Sequence, residues 1–529
     1  MKKIFVLLVL IMANLLWANN ISIGSITLVN RDTTARTAVI SFDVSWENSW
    51  RLDTAPANWD AAWIFMKFKD ADGEWHHATL AADTSGFTPA PGATIQPVAD
   101  RKGFFLYRSE VGSGEFNAIG NQLTWYYGED SLANSDIIEI KLFGIEMVYI
   151  PEGAFYAGST TSDSGDVNFL RRISGTDTSA FLVDTALVDS ITSEGTGVSD
   201  SQDDDVLKGI NGYTGIGIDG DDGLDADNDG VIDNPDFPTG YKAFYLMKYE
   251  ITQQQYVEFL NTLTRAQQVN HVATIDTGLY ALTNTSTVSD RNGIRVPSSY
   301  EDGPIQFGCD LNENKVMNES DDGQNIAVNY LNWQDVAAYL DWAALRPYTE
   351  LEFVKAARGP LGQSAGEFVW GTKYYKTEDY DGILNAGTED EVTANSDANV
   401  HTAPQGVGGP LRAGCFARAT SDRENAGSGY YGNLDLSGNV WELVIPLGNT
   451  DGRNFTGVHG DGELDATSGY ANVTNWPALN QNGSVGKRGG VFIGPIDQAR
   501  IANRNYANFE FYISSRRYDD GGRGARTAP

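Results

Sequence analysis

Cysteine is nearly absent: Cys309 and Cys415 are the only two in 529 residues. A disulfide-stapled scaffold is therefore excluded, and a chain of this length buries enough surface to need no staples. The sequence leaves open one bridge between the two or two buried free thiols. Basic residues are also scarce, with 37 Lys and Arg against 71 Asp and Glu and a formal net charge of -34. Nucleic acid and anionic membranes would be repelled by such a surface, whereas divalent cations suit it. Long apolar runs are missing beyond the N-terminus. There, Lys2 and Lys3 precede an apolar run from Ile4 to Leu16 that closes on Ala18 and polar Asn19-Asn20. The run is short of the ~20 residues that span a bilayer, so residues 1–18 are expected to be a signal peptide and the mature chain to be secreted, without membrane insertion. No Gly-x-Ser-x-Gly elbow, phosphate loop or papain-like cysteine environment occurs.

What is present is glycine, aromatic residues at 11% and an ordinary charged fraction of 20%, the composition of a loop-rich globular chain rather than a disordered one. Ile40, Phe42, Val44 and Trp46 alternate with polar residues, and Ile138, Ile140 and Leu142 do the same, as half-buried strands require. Asp70-Ala71-Asp72-Gly73 is a turn between the apolar run AAWIFMKF and EWHHATL, so a hairpin is expected there. Residues 20–145 thus read as an antiparallel β-sandwich. His76 and His77 point to opposite faces of such a strand and cannot chelate one metal together.

From Met147 the texture changes to MVYIPEGAFYAGS and, after an Asp/Gly-rich insertion at residues 160–238, to GYKAFYLMKYEITQQQYVEFLNTLT. Thr252 and Gln255 form a capping-box pattern ahead of an apolar face of Tyr256, Phe259, Leu260 and Leu263, which predicts a helix. Thr349 and Glu352 repeat the box in NYLNWQDVAAYLDWAALRPYTELEFVKAARG. GNLDLSGNVWELV, KRGGVFIGP and a closing GGRGAR follow in order. Across residues 146–529 these strings resemble the formylglycine-generating-enzyme (sulfatase-modifying-factor) family. The resemblance implies an α+β chain in which the sandwich is followed by an irregular domain similar to the C-type lectin fold. It also implies an oxidase whose copper ion is held by two closely spaced cysteines soon after the RGG string. That window here, GGVFIGPIDQARIANRNYANFEFYISSRRY, has no cysteine, so the thiolate pair that Cu(I) needs is missing and no copper is expected. Related iron-dependent sulfoxide synthases use a histidine cluster, but His76, His77, His271, His401 and His459 include no pair with metal-binding spacing.

The positive chemical signal is calcium. In DADNDGVIDNPD, Asp225, Asp227 and Asp229 fall at alternate positions, Gly230 permits a sharp turn, Val231 offers a carbonyl, and Asp236 closes the loop. CDLNENKVMNESDDG repeats the spacing with Asp310, Asn312, Asn314 and Asp321, with Lys315 where glycine is preferred. A solvated acidic linker is the bland alternative for the first loop. By resemblance only, the family's calcium roles carry over to Asp435, Gly438, Val440 and Glu442, and more loosely to Asn385, Ala386, Asp397 and Asn399. Hydrogen bonds alone are the alternative there. The stretch ARIANRNYANFEFYISSRRY is rich in aromatics, Asn and Arg. Its Arg500, Asn503, Asn505, Tyr506, Phe509 and Tyr512 read as a ligand-binding face or, in the alternative, as the packed floor of the domain. The sequence therefore reads as a secreted, calcium-stabilised, non-catalytic binding or surface-structural protein, with an extracellular protein or a glycan as partner. The alternatives are a family enzyme, of oxidase or non-haem-iron type, using other chemistry, and a variable ligand-binding protein of a diversity-generating retroelement.

Overall fold

The computed structural model describes residues 21–158, 171–174, 177–184, 233–378, 382–404, 406–418, 420–447, 449–478, 484–507 and 514–529. The expected leader and the first calcium loop as far as Val231 lie outside them, as do Phe509 and Tyr512. Nine strands occupy the N-terminal region: β1 (Ser22–Asp32), β2 (Thr37–Arg51), β3 (Asp60–Lys69), β4 (Trp75–His77), β5 (Phe87–Thr88), β6 (Ala93–Pro97), β7 (Phe104–Arg108), β8 (Gly112–Trp125) and β9 (Glu139–Ile150). One antiparallel sheet has the order β1-β2-β8-β5. The alternation read in β2 is real, with Ile40, Phe42, Val44 and Trp46 buried in turn. These side chains meet Ala62, Ile64, Met66, Phe104 and Leu106 of a second sheet in one apolar cluster.

The second sheet does not stop at the expected boundary between residues 145 and 146. Strand β9 runs across it, pairing with β3 along Asp60–Lys69 and with Phe244–Met247, which in turn pairs with Ala525–Thr527. Seven strands from both ends of the chain thus form one sheet. Its other face belongs to the C-terminal region: Trp63, Phe65, Phe105, Phe143 and Ile145 pack with Trp342 and Leu340 in a second, larger cluster. β3 is accordingly buried on both faces, which is why AAWIFMKF shows no alternation. The turn after it forms as expected, with the Asp70 carboxylate accepting from the amides of Asp72 and Glu74 and Gly73 at φ +87°.

His77 stacks on Phe65 while His76 lies on the Phe68 side, so the two rings do face apart. His76 bridges Asp70 and Glu463 through opposite ring nitrogens at 3.2 and 3.4 Å. Glu463 and Asp70 raise its pKa to about 8 against the opposing effect of burial. Both capping boxes form: Thr252 with Gln255 opens the helix Gln253–Leu260, and Thr349 with Glu352 opens Glu350–Arg358. Among the described residues no helix is long and apolar enough to cross a membrane.

Candidate functional site

The C-terminal segment is fixed by buried charge. Glu350, at the start of its helix, receives Arg504 on both carboxylate oxygens at 2.8 Å, Arg488 at 3.1 Å and the Leu447 amide at 2.6 Å. All three charged side chains are fully buried. Burial alone would raise the Glu350 pKa, but Arg504 and Arg488 hold it below the usual carboxylate value. Arg504 therefore locks the very stretch in which a ligand face was expected. Around it, Asn503 is buried and accepts the Asn505 amide at 3.1 Å, while Asn505, Tyr506 and Arg500 are half-buried. Arg500 pairs with Asp497 at 2.8 Å, and Tyr506 lies over Trp441 at 5.0 Å. Trp441, Val491 and Phe492 form a small apolar cluster that Tyr506 and Tyr518 cover.

Beneath this surface, a second network joins Arg523 of the closing string to Glu442 in a bidentate pair at 2.6 and 2.7 Å, with Tyr348 on the same carboxylate. Asp435 sits at φ +59° and accepts the Gly414 amide at 2.6 Å. The Val440 amide and the Asn439 side chain donate to Glu250. Gly438 is obligatory, because an added Cβ would stand 2.5 Å from the His401 carbonyl. Three buried carboxylates, Glu250, Asp435 and Glu442, thus lie within the field of Arg523, whose guanidinium pairs with Glu442. Burial pushes Asp435 up to about 6 and Glu250 well above the usual range, and the neighbouring negative charges add to both shifts. The four residues given calcium roles in this string sit together in the core, but both Glu442 oxygens are taken by a guanidinium.

The second sequence-predicted loop turns through a run of amide-to-side-chain hydrogen bonds. Asn314 and Val316 amides donate to the side chains of Asn312 and Asn314, the Lys315 amide donates to Asp310 at 3.2 Å, and Lys315 holds φ +73°, the turn that glycine would favour. Asp310 is not an open ligand, however. It is buried and pairs with the Arg295 guanidinium, since a carboxylate buried in that position needs a counter-charge. The acidic oxygens that do converge belong to Glu319, Asp321 and Asp322, within 4.8 Å of one another. Asn312 and Asn314 reach this group, donating to Asp321 at 3.0 Å and to Glu319. Asp322 is fully buried and accepts the Glu319 amide at 2.7 Å on one oxygen, and its Oδ1 has no hydrogen-bond partner among the described residues. Burial chiefly, with Asp310 and Asp321, pushes its pKa up to about 6.

The looser set does not assemble in the same way. Asn399 spends its side chain on the Lys376 amide and the Glu424 carbonyl, Asn385 donates to the Asp390 carbonyl, and Ala386 and Asp397 are exposed. Among the described residues no hydrogen bond links the four. Asp236 is exposed, its amide donating to Asn234. Cys309 and Cys415 are both free and buried in separate apolar clusters. Burial pushes the Cys415 thiol up to about 12 and that of Cys309 higher still, the reverse of what a thiolate ligand needs.

Residues 214–515 match the sulfatase-modifying factor enzyme 1-like domain, FGE-sulfatase. The match covers more than half of the chain, which therefore belongs to this family. No curated protein matches it.

Proposed function

We propose that this chain is a secreted, calcium-stabilised and non-catalytic member of its family, a binding or surface-structural protein with a C-type-lectin-like domain behind the N-terminal sheets. Its C-terminal face, around Asn505 and Tyr506, meets an extracellular protein or glycan. The observation that carries the non-catalytic reading is the state of the thiols. Copper-dependent oxidation needs a closely spaced thiolate pair, and the only two cysteines are protonated, buried and packed in different clusters. The purified protein is expected to form no formylglycine when incubated aerobically with copper and a sulfatase-type peptide. Mass-spectrometric detection of the aldehyde above a copper-only control would overturn the reading.

Calcium is supported by the converging Glu319, Asp321 and Asp322, which offer the hard oxygen donors that Ca²⁺ prefers. The Asp322 Oδ1, without a partner among the described residues, fits the same assignment. The ligand set proposed for this loop therefore shifts from Asp310 to these three residues, with Asn312 and Asn314 beside them. The loop Asp225, Asp227, Asp229, Val231 and Asp236 is a second proposed site. Calcium that binds only the folded state adds about 2.7 kcal/mol per site at 100 times its dissociation constant. Stripping the protein with EDTA and dialysing it should lower the melting temperature, and calcium should restore it. Asp321→Asn together with Glu319→Gln should abolish part of that recovery. A melting curve indifferent to calcium would leave the acidic loops as solvated linkers.

A further inference from the structure

A hollow of about 320 Å³ opens across one end of the shared sheet, lined by Trp59, Gln96, Tyr107, Tyr149, Glu152 and Lys242, with residues 527–529 closing it. Its volume lies at the lower end of the range of roughly 300–1,000 Å³ typical of small-ligand sites. All of the named residues except Lys242 precede the part of the chain that matches the family. The aromatic wall is packed ring against ring. Trp59 and Tyr149 stack at 4.0 Å with 8° between their planes, and Tyr107 leans on Trp59 at 5.2 Å. Behind them Tyr245 accepts the Trp59 indole N–H at 3.2 Å and donates to Gln96 Oε1 at 3.2 Å, and the Tyr107 hydroxyl donates to the same oxygen at 3.5 Å. With its carbonyl so occupied, Gln96 keeps its amide N–H₂ group without a partner among the described residues. At the rim stand an exposed carboxylate, Glu152, and an exposed ammonium, Lys242.

The chemistry of this wall selects its ligand. A cation is disfavoured, because the Arg51 guanidinium already lies 4.9 Å from the Trp59 ring and 5.2 Å from that of Tyr107, and Lys242 adds a second positive charge. A purely apolar ligand would cover the Gln96 amide N–H₂ group without giving it a partner, which is costly. A neutral polyhydroxylated ring satisfies both walls: its C–H face rests on aromatic surface, and its hydroxyls accept from the Gln96 amide and Lys242 and donate to Glu152.

We propose that the hollow lined by Trp59, Tyr107, Tyr149, Gln96, Glu152 and Lys242 is a saccharide-binding site for neutral sugars. It extends the binding reading above to a second place on the molecule and does not rest on the C-terminal face.

The test uses the full mature chain and a panel of neutral tetrasaccharides (β-1,4-glucan, β-1,4-xylan, α-1,4-glucan and β-1,4-mannan) with saturation-transfer NMR and titration calorimetry. At least one is expected to bind with a Kd of about 1 mM or tighter, and Tyr149→Ala to weaken it about tenfold. Because Tyr149 is part of the sheet, the exposed-rim variant Glu152→Gln/Lys242→Met provides an independent reading and should weaken binding several-fold with an unchanged circular dichroism spectrum. Failure of all four sugars to bind overturns the proposal. So does binding that survives both pocket variants. If binding is instead lost in Tyr506→Ala, sugar recognition belongs to the C-terminal face, and the reading of that face stands while this one falls. Binding of choline or adenosine at the hollow in place of the sugars would equally overturn the saccharide assignment.

Discussion

Glu350→Ala is expected to destabilise the protein by about 3–5 kcal/mol, the usual cost of removing one partner from a buried ion pair. The reason is what it leaves behind. Arg488 and Arg504 are both fully buried, and without Glu350 each loses the carboxylate it pairs with there. Arg488 is already strained in this sense: burial, with Arg504 adding like charge, lowers its pKa to about 10 even with Glu350 present. The Leu447 amide would lose its acceptor as well. Glu350→Gln, which keeps the shape and removes the charge, should cost less but still more than any rim substitution. Urea denaturation at neutral pH measures both.

The same group sets a pH dependence whose sign follows from its lowered pKa. The folded state binds the Glu350 proton less readily than the unfolded chain does. Its contribution is therefore present above the unfolded carboxylate pKa and is lost as pH falls through the folded one. The wild-type protein should lose this increment on acidification, whereas the difference between it and Glu350→Gln should shrink over the same window. A difference that stays constant with pH, or a Glu350→Ala variant within 1 kcal/mol of wild type, roughly the level of an exposed ion pair, would show that the triad does not anchor the C-terminal segment.

How far the sequence could lead is clearest in that segment. Local signals were legible because they act over a few residues: the boxes at Thr252 and Thr349, the alternation of β2 and the Asp70 turn all form. The family strings pointed to the family whose domain matches residues 214–515. Arg504 was not legible as a core residue, since its flanking Asn503 and Asn505 look equally polar and the carboxylate that receives it, Glu350, is distant in sequence. The same ambiguity misled the reading of Asp310. Alternate oxygen spacing is what a calcium loop shows, but spacing does not say whether the cation facing it is a metal ion or Arg295. Strand β9 crosses the boundary placed between residues 145 and 146 for a related reason. The change of texture at Met147 is real, yet strand pairing is a long-range property. Glu146, which looks like a surface residue, is buried against Lys248 at 2.9 Å inside the continuous sheet.

That continuity makes Trp63→Ala the second large effect, with an expected loss of about 3–5 kcal/mol for a large aromatic deleted from a packed core. Trp63 is fully buried in β3, on the face of the shared sheet that meets the C-terminal region. Its indole donates to the Ala343 carbonyl at 2.8 Å, Arg526 lies 4.3 Å from its ring, and Phe105 packs at 5.0 Å. The neighbouring Ala62 and Ile64 point the other way, into the cluster shared with β2 and β8. A defect at Trp63 is therefore felt by the C-terminal layer directly and by the N-terminal sheet through β3 itself. Far-UV circular dichroism and tryptophan fluorescence should report one coincident transition, shifted to lower temperature in the variant. Were residues 20–145 an independent sandwich, the variant would instead melt in two steps, with one transition left at its wild-type position. Two steps would restore the boundary at 145 and make the contact between β9 and Phe244–Met247 a docking contact rather than part of one cooperative sheet.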